Sequence, residues 1–332
     1  MKTKLLFKGP LLTRSGYGEQ SRFALRALRS CPDIFDIFIQ PLEWGKTSWI
    51  NEDNEEKRWI DQTIEKTIAF VHHGGQFDAS FQVTIPNEWQ KIAPINIGFT
   101  AGMETTKVAH QWIQNGNEMD KIIVVSDHSR NTFIDTAYTM HDQNNQPVGE
   151  LKLTTPVETV NYPTKKFENL KELDLQIDTP FNFLAVAQFG PRKNIPNTIK
   201  WFIEEFHNED VGLLIKTNVA KNCLMDREKV FHDIRNFIAP FSDKKCKIYL
   251  LHGDMEDEEM HALYKNPKIN ALVTLTHGEG FGLPLFEAAY SGLPVIAPGW
   301  SGQLDFLVNK HTGEDCYYNV EYDIGQIPQE VV

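Results

Sequence analysis

The stretch Leu272–Leu307, LVTLTHGEGFGLPLFEAAYSGLPVIAPGWSGQLDFL, decides how the chain is read. An apolar run from Ala271 to Leu275 has the length and β-branched content of a buried strand. It feeds a turn built on Gly278, Gly280 and Gly282, and a helix is expected from about Leu283 to Tyr290. A second apolar run, Pro294 to Ala297, ends in another glycine-bearing turn. Two carboxylates, Glu279 and Glu287, stand eight positions apart, one in the turn and one in the helix. Phe286, Ala288 and Ala289 flank Glu287, and a carboxylate is costly in such surroundings unless a hydrogen-bond donor, a cation or a ligand hydroxyl satisfies it.

Outward from this stretch, strands and helices alternate along the chain, as a doubly wound parallel sheet requires. A strand over Lys4–Phe7 runs through the loop Thr13–Gly18 into a helix beginning at Glu19. Phe35–Ile39, Thr67–Val71, Phe81–Ile85, Ile95–Phe99, Ile122–Val125 and Val157–Asn161 are further expected strands. Ser126 is placed to cap the helix that follows it. The polar segment 164–180 separates this half from a second one that begins with the strand Phe181–Ala187, continues through a helix over Ile195–Phe206, and includes a strand over Lys247–Leu251. Three parts are therefore expected: a first α/β domain over 1–163, a linker over 164–180 and a second α/β domain over 181–332.

The 332-residue length suits about two domains. No apolar run reaches the ~18 residues of a membrane span. The N-terminal MKTKLLFKGPLL has a short apolar part and no small-residue cleavage site, so it is taken as a strand rather than a secretion signal. Four cysteines, Cys31, Cys223, Cys246 and Cys316, are scattered with no C-x-x-C pair, which points to a reducing, cytoplasmic setting and away from a disulfide framework or zinc site. The net charge of −12 disfavours, without excluding, a protein built to grip nucleic acid. The acidic run Asp257–Glu259 is assigned to the first turn of a helix, where carboxylates complement the helix dipole, rather than to a metal.

The core E-G-F-G-L-P with Glu287 eight residues after Glu279, the small-residue helix A-A-Y-S-G, the strand L-P-V-I-A and the turn G-W-S-G resemble the E-x7-E signature of retaining glycosyltransferase family 4. That family has the GT-B fold, two Rossmann-like domains facing each other across a cleft. The resemblance implies metal-independent transfer of a sugar from a nucleotide-diphosphate sugar, UDP- or GDP-linked, to a hydroxyl acceptor, with the donor as co-substrate and no further cofactor. It implies that Glu279 contacts the donor sugar, that the amides of Gly280, Phe281 and Gly282, beside Leu283, hold sugar and phosphate, and that Glu287 takes the ribose hydroxyls. Lys193 matches the lysine of the cationic turn, with Arg192 just before it, and the two are expected to neutralise the diphosphate, while Gln188 stands where the family usually has an arginine; Lys216 is the candidate to offset that loss. Gly16, in the first glycine-bearing loop, is expected near the diphosphate.

The acceptor side is less defined. The family's better-known members place a histidine where this chain has the turn Thr100–Glu104, so Glu104, His72 and His73 are the substitute candidates, and Trp44, Trp49, Trp89 and Trp112 are possible cleft aromatics. A glycan, a small molecule or, less favoured by charge, a modified DNA base are the acceptor classes. Two rival readings remain: a non-catalytic nucleotide-sugar-binding protein, and a nucleotide-sugar epimerase of the same fold. The segment 311–332 is too short and too weakly periodic for the C-terminal helix with which such enzymes cross back to the first domain, so that helix is expected to be missing.

Overall fold

The protein is described by a computed structural model, over residues 2–168 and 170–327. Asn169 of the expected linker and residues 328–332 of the expected second domain lie outside the described residues. The chain divides into two compact units, Met1–Pro163 and Thr164–Val332.

Unit 1 runs β1 (Thr3–Gly9), α1 (Gly16–Arg29), β2 (Phe35–Pro41), α2 (Glu55–His72), β3 (Ala79–Val83), β4 (Ile95–Thr100), α3 (His110–Gly116), β5 (Lys121–Val124), α4 (Asp127–Asp135), a hairpin of β6 (Ala137–His141) and β7 (Pro147–Lys152), and β8 (Val157–Thr159). Its main sheet is parallel, in the order β2-β1-β3-β4-β5-β8. The expected Ser126 cap is present: its side chain accepts the Ser129 N–H.

One expectation for this unit is corrected, and one element was not expected. Thr67–Val71 is not a strand but the last turns of α2. A five-residue apolar run cannot separate helix from strand by itself. Here Ile60, Thr63 and Thr67 are buried at helical spacing. Thr67 Oγ1 also donates to the Thr63 carbonyl at 2.7 Å while accepting the Ile39 N–H at 2.8 Å, which docks the helix on β2. The antiparallel hairpin β6–β7 was not expected; its turn uses Asn145 at φ 60°, a left-handed position that asparagine tolerates.

Unit 2 runs β9 (Phe181–Val186), α5 (Ile195–Phe206), β10 (Val211–Lys216), α6 (Leu224–Ile238), β11 (Lys247–Leu251), α7 (Asp257–Tyr264), β12 (Ala271–Val273), α8 (Leu283–Tyr290), β13 (Val295–Pro298), α9 (Leu304–Leu307) and β14 (Tyr318–Val320). The sheet is parallel, in the order β11-β10-β9-β12-β13-β14. Alternate strand residues face opposite sides. Leu184 and Leu214 join Leu263, Tyr264, Leu285 and Ala288 in one core. Ala185, Leu213 and Ile215 join Ile199, Phe202, Ile203 and Val230 in the other. Covering both faces is what lets a parallel sheet read as continuous apolar strands.

The segment expected as a linker is a strap of unit 2. Leu175 and Ile177 are buried in its core with Leu173 packed against them. Asn266 Nδ2 donates to the Leu173 carbonyl at 2.7 Å and Lys268 Nζ to that of Leu175 at 2.6 Å. The signal was the alternation Leu173-x-Leu175-x-Ile177, hidden among charges. Among the described residues no helix is long and apolar enough to cross a membrane.

Candidate functional site

In unit 2 the chain leaves β9, builds β10 and β11 on one side, then crosses to β12 on the other. Connections therefore diverge between β9 and β12. In open α/β sheets ligands sit in the crevice outside the strand C-termini at such a switch point. The two loops that flank it carry Arg192 and Lys193 (after β9) and Glu279 (after β12).

These three residues meet. Lys193 Nζ donates to Glu279 Oε1 at 2.5 Å, and Arg192 Nη1 lies 3.4 Å from Oε2. Arg192 Nη1 also donates to the Gly278 carbonyl at 2.7 Å, and the His277 N–H donates to the Arg192 carbonyl at 2.9 Å, so backbone and side chain tie the loops together. The Glu279 side chain is 7% exposed. Burial opposes its ionisation, but Lys193 and Arg192 outweigh burial and hold the carboxyl below its ordinary range. The result is a desolvated carboxylate beside two cations, a combination that can present hydroxyl acceptors and anion-neutralising charge side by side.

Local geometry explains the placement. Asn194, at φ 55°, ends the short turn Pro191–Lys193 in the left-handed region and donates from Nδ2 to the Leu275 carbonyl at 3.0 Å. Gly282, at φ 89°, caps α8 in a conformation that glycine adopts without penalty. Gly280, Phe281 and Leu283 lie in or beside this turn, and Phe281 is buried against Phe286 and Phe306. Glu287 lies on the second turn of α8, where the buried Tyr264 hydroxyl donates to its Oε2 at 3.1 Å.

Lys216 ends β10, but its Nζ donates to the Gly253 carbonyl after β11 at 2.6 Å; burial pushes its pKa down against the pull of Asp254. It belongs to the same strand-end edge, on the other side of β9 from the loop that carries Glu279. Gln188 stitches that edge further, donating from Nε2 to the Val219 carbonyl at 2.7 Å. Asp226 accepts the N–H groups of Val219, Ala220 and Lys221 and lies 2.9 Å from His252 Nε2.

In unit 1 the switch point falls between β1 and β3. Gly16 is the first residue of α1, and a side chain there would touch nothing, whereas a Cβ on Gly18 would lie 2.1 Å from the Thr13 carbonyl oxygen. Gly18 is thus the glycine the turn demands. Ser15 caps the helix by accepting the Gly18 N–H at 2.9 Å. Burial pushes the phenols of Tyr17 and Tyr162 up; hydrogen bonds with Thr100 and the Ala101 backbone oppose the rise at Tyr17, the Tyr17 phenol and Glu19 add to it at Tyr162, and Glu104, which follows β4, adds to it at both. Tyr17 Oη lies 2.7 Å from Thr100 Oγ1 and its ring packs on Trp44 at 4.2 Å.

The two histidines are not at this edge. His72 ends α2 and His73 caps it, its Nδ1 donating to the Ala69 carbonyl at 2.7 Å. They precede β3 and so stand by the strand N-termini, the end opposite Thr100 and Glu104. The error followed from reading Thr67–Val71 as a strand. Tyr17, Thr276, whose Oγ1 donates to the Gly278 carbonyl at 3.1 Å, and the hydrogen-bonded pair Ser301 and Gln303 also shape these edges and were not expected there. Only the glycine-rich setting of Ser301 hinted at one of them.

Residues 241–319 match the family described as Glycosyl transferases group 1. The serotype-specific mannosyltransferase WbdA of Escherichia coli is 34% identical over 116 residues, which is 35% of this chain and 13% of that protein. The chain thus aligns with a small part of its relative's length. The apo structure of the lipopolysaccharide outer core galactosyltransferase WaaB superposes with a TM-score of 0.55 at 12% identity, over 96% of this chain and 86% of that one. Apo OtsA does so with a TM-score of 0.57 at 9% identity, over 96% and 88%. At such identities the structural likenesses speak to fold alone. The chain therefore has the GT-B fold, and residues 241–319 of its second unit match the glycosyl transferases group 1 model.

Proposed function

We propose that the protein transfers a hexosyl group, with retention and without a metal, from a nucleotide-diphosphate sugar to a hydroxyl acceptor, as a family 4 type enzyme. The observation that carries this reading is the buried Glu279 carboxylate set against Lys193 and Arg192 at the second switch point. Loss of a nucleoside diphosphate leaves growing negative charge on its phosphates, and fixed cations stabilise that charge in the transition state. Arg192 and Lys193 take this role. Glu279 accepts hydrogen bonds from the sugar hydroxyls, the Gly280–Gly282 amides and Leu283 line the sugar and phosphate, and Glu287 receives the ribose hydroxyls. Lys216 supplies a further contact toward the diphosphate.

The match to a mannosyltransferase favours a hexose, carried on UDP or GDP. The acceptor is read by unit 1, from Glu104 and the Tyr17–Trp44 pair, and a sugar hydroxyl suits this aromatic and carboxylate lining. A DNA base is the less favoured acceptor because the chain carries a net charge of −12. A cytoplasmic setting agrees with four unpaired cysteines.

The direct test is a thermal-shift and calorimetric screen of UDP- and GDP-hexoses, followed by nucleotide release from the best donor. Binding and release abolished by Glu279→Gln are expected. Absence of binding by every donor would sink the reading.

A further inference from the structure

Ser301 is held at φ 72°, in the left-handed region that side chains rarely adopt. It is 4% exposed. A Cβ on the next residue, Gly302, would meet the Gly280 carbonyl oxygen at 2.0 Å, so the turn after β13 is pressed directly on the turn after β12. Glycine would satisfy this backbone without strain. The side chain must therefore supply something that glycine lacks.

It supplies a hydroxyl aimed at Glu279. The Glu279 N–H donates to Ser301 Oγ at 3.0 Å, and the Glu279 carbonyl accepts the Gly302 N–H at 2.9 Å. Ser301 Oγ donates in turn to Gln303 Oε1 at 2.8 Å, and Gln303 Nε2 donates to the Pro298 carbonyl at 3.0 Å. Gln303 is fully buried. The two peptide groups of Glu279 are thus clamped from the β13 side while its carboxylate is held by Lys193 and Arg192 from the β9 side.

We propose that Ser301 is a positioning residue for Glu279. Its hydroxyl, backed by Gln303, fixes the backbone from which the Glu279 carboxylate meets the donor, and the left-handed strain at 301 is retained for that hydroxyl. Backbone strain held in place by its surroundings is a feature of functional sites. This proposal rests on the role given to Glu279 above.

Ser301→Ala and Ser301→Gly separate hydroxyl from strain, since both lose the hydroxyl and only glycine relieves the backbone. The assay uses the UDP- or GDP-hexose that gives the largest thermal shift, and reads nucleotide release and melting temperature. Both variants are expected to remain folded, with Ser301→Gly melting at or above Ser301→Ala. Both are expected to lose ~10- to ~100-fold in kcat, the scale of a displaced reacting group, with donor KM changed less than about threefold. A loss of melting temperature with unchanged kcat would show a purely structural role and overturn the proposal. So would a Ser301→Gly protein with wild-type kcat, provided Glu279→Gln is inactive. If Glu279→Gln itself turns over normally, or no donor binds, the role of Glu279 falls and this proposal falls with it.

Discussion

The Tyr264 hydroxyl on α7 donates to Glu287 Oε2 on α8 across 3.1 Å. Burial, then the charge of Glu287, lifts the phenol well above its ordinary pKa, so it remains a neutral donor across the usable pH range. This is one donor for the carboxylate that the apolar helix sequence called for. A hydrogen bond to a charged group contributes about 1.5–3 kcal/mol. Tyr264→Phe, which keeps the ring, is expected to weaken nucleotide-sugar binding by roughly tenfold in calorimetry. Glu287→Ala is expected to weaken it more. Unchanged affinity in both would remove Glu287 from the nucleotide site.

Lys193→Ala is expected to lower turnover by about 10²-fold, the scale seen when one charge-stabilising group is removed. It also changes the pH response. The folded pKa of Glu279 is depressed, so its pairing stabilises the protein above the carboxyl's ordinary value and is lost as pH falls from there through the folded value. Without Lys193 burial gains on the remaining cation. Acid unfolding followed by circular dichroism should then shift its midpoint to higher pH in the variant. Coincident curves would contradict the buried pair.

Asp226 gives a second acid-sensitive element. Burial raises its pKa, but His252 and the N–H groups of Val219, Lys221 and Ala220 outweigh it and lower the value from 3.8 to about 2. Its side chain is only 7% exposed. That depression corresponds to about 2 kcal/mol, present above pH 4 and lost as pH falls from about 4 to about 2. Asp226→Asn should reduce stability in urea by an amount of that order at pH 6 and by little near pH 2. Equal losses at both values would show that the charge is not what matters.

Gly302→Ala is expected to destabilise by about 3 kcal/mol or more, because the new methyl meets backbone rather than a movable side chain. The contact partner is the Gly280 carbonyl, so nucleotide-sugar binding should fall together with the melting temperature. By contrast, Gly16→Ala meets open space at the start of α1 and should leave stability unchanged or slightly raised. Equal melting temperatures for the two variants would mean that the turns at 280 and 302 are not in contact.

Unit 2 was legible because its central strands are buried on both faces and read as apolar runs. Helices Ile195–Phe206 and Leu283–Tyr290 and strand Lys247–Leu251 were expected with the bounds they have. Unit 1 was harder. A short β-branched run such as Thr67–Val71 carries the composition of a strand, whereas in the fold it continues α2, with Ile60, Thr63 and Thr67 buried at helical spacing and Thr67 docked on the Ile39 amide. The strap at Leu173–Ile177 was masked because charged neighbours diluted a period-two pattern over just five residues.

The sequence by itself determined the α/β alternation, the glycine turns and the residue types at the second switch point: a glutamate, a lysine and an arginine in loops that strand ends must carry. Periodicity and turn chemistry are local, and local properties can be read from neighbours along the chain. Tertiary structure alone decided which side chains meet. Lys193 and Glu279 are 86 positions apart, Tyr264 and Glu287 are 23 apart, and Ser301 reaches the Glu279 amide from 22 residues away. Such pairings depend on strand order and on how closely two turns can pack. It was the sheet order around β9 and β12, with two glycine turns in backbone contact, that placed a strained serine behind the carboxylate and left the histidines of α2 at the far edge of the other sheet.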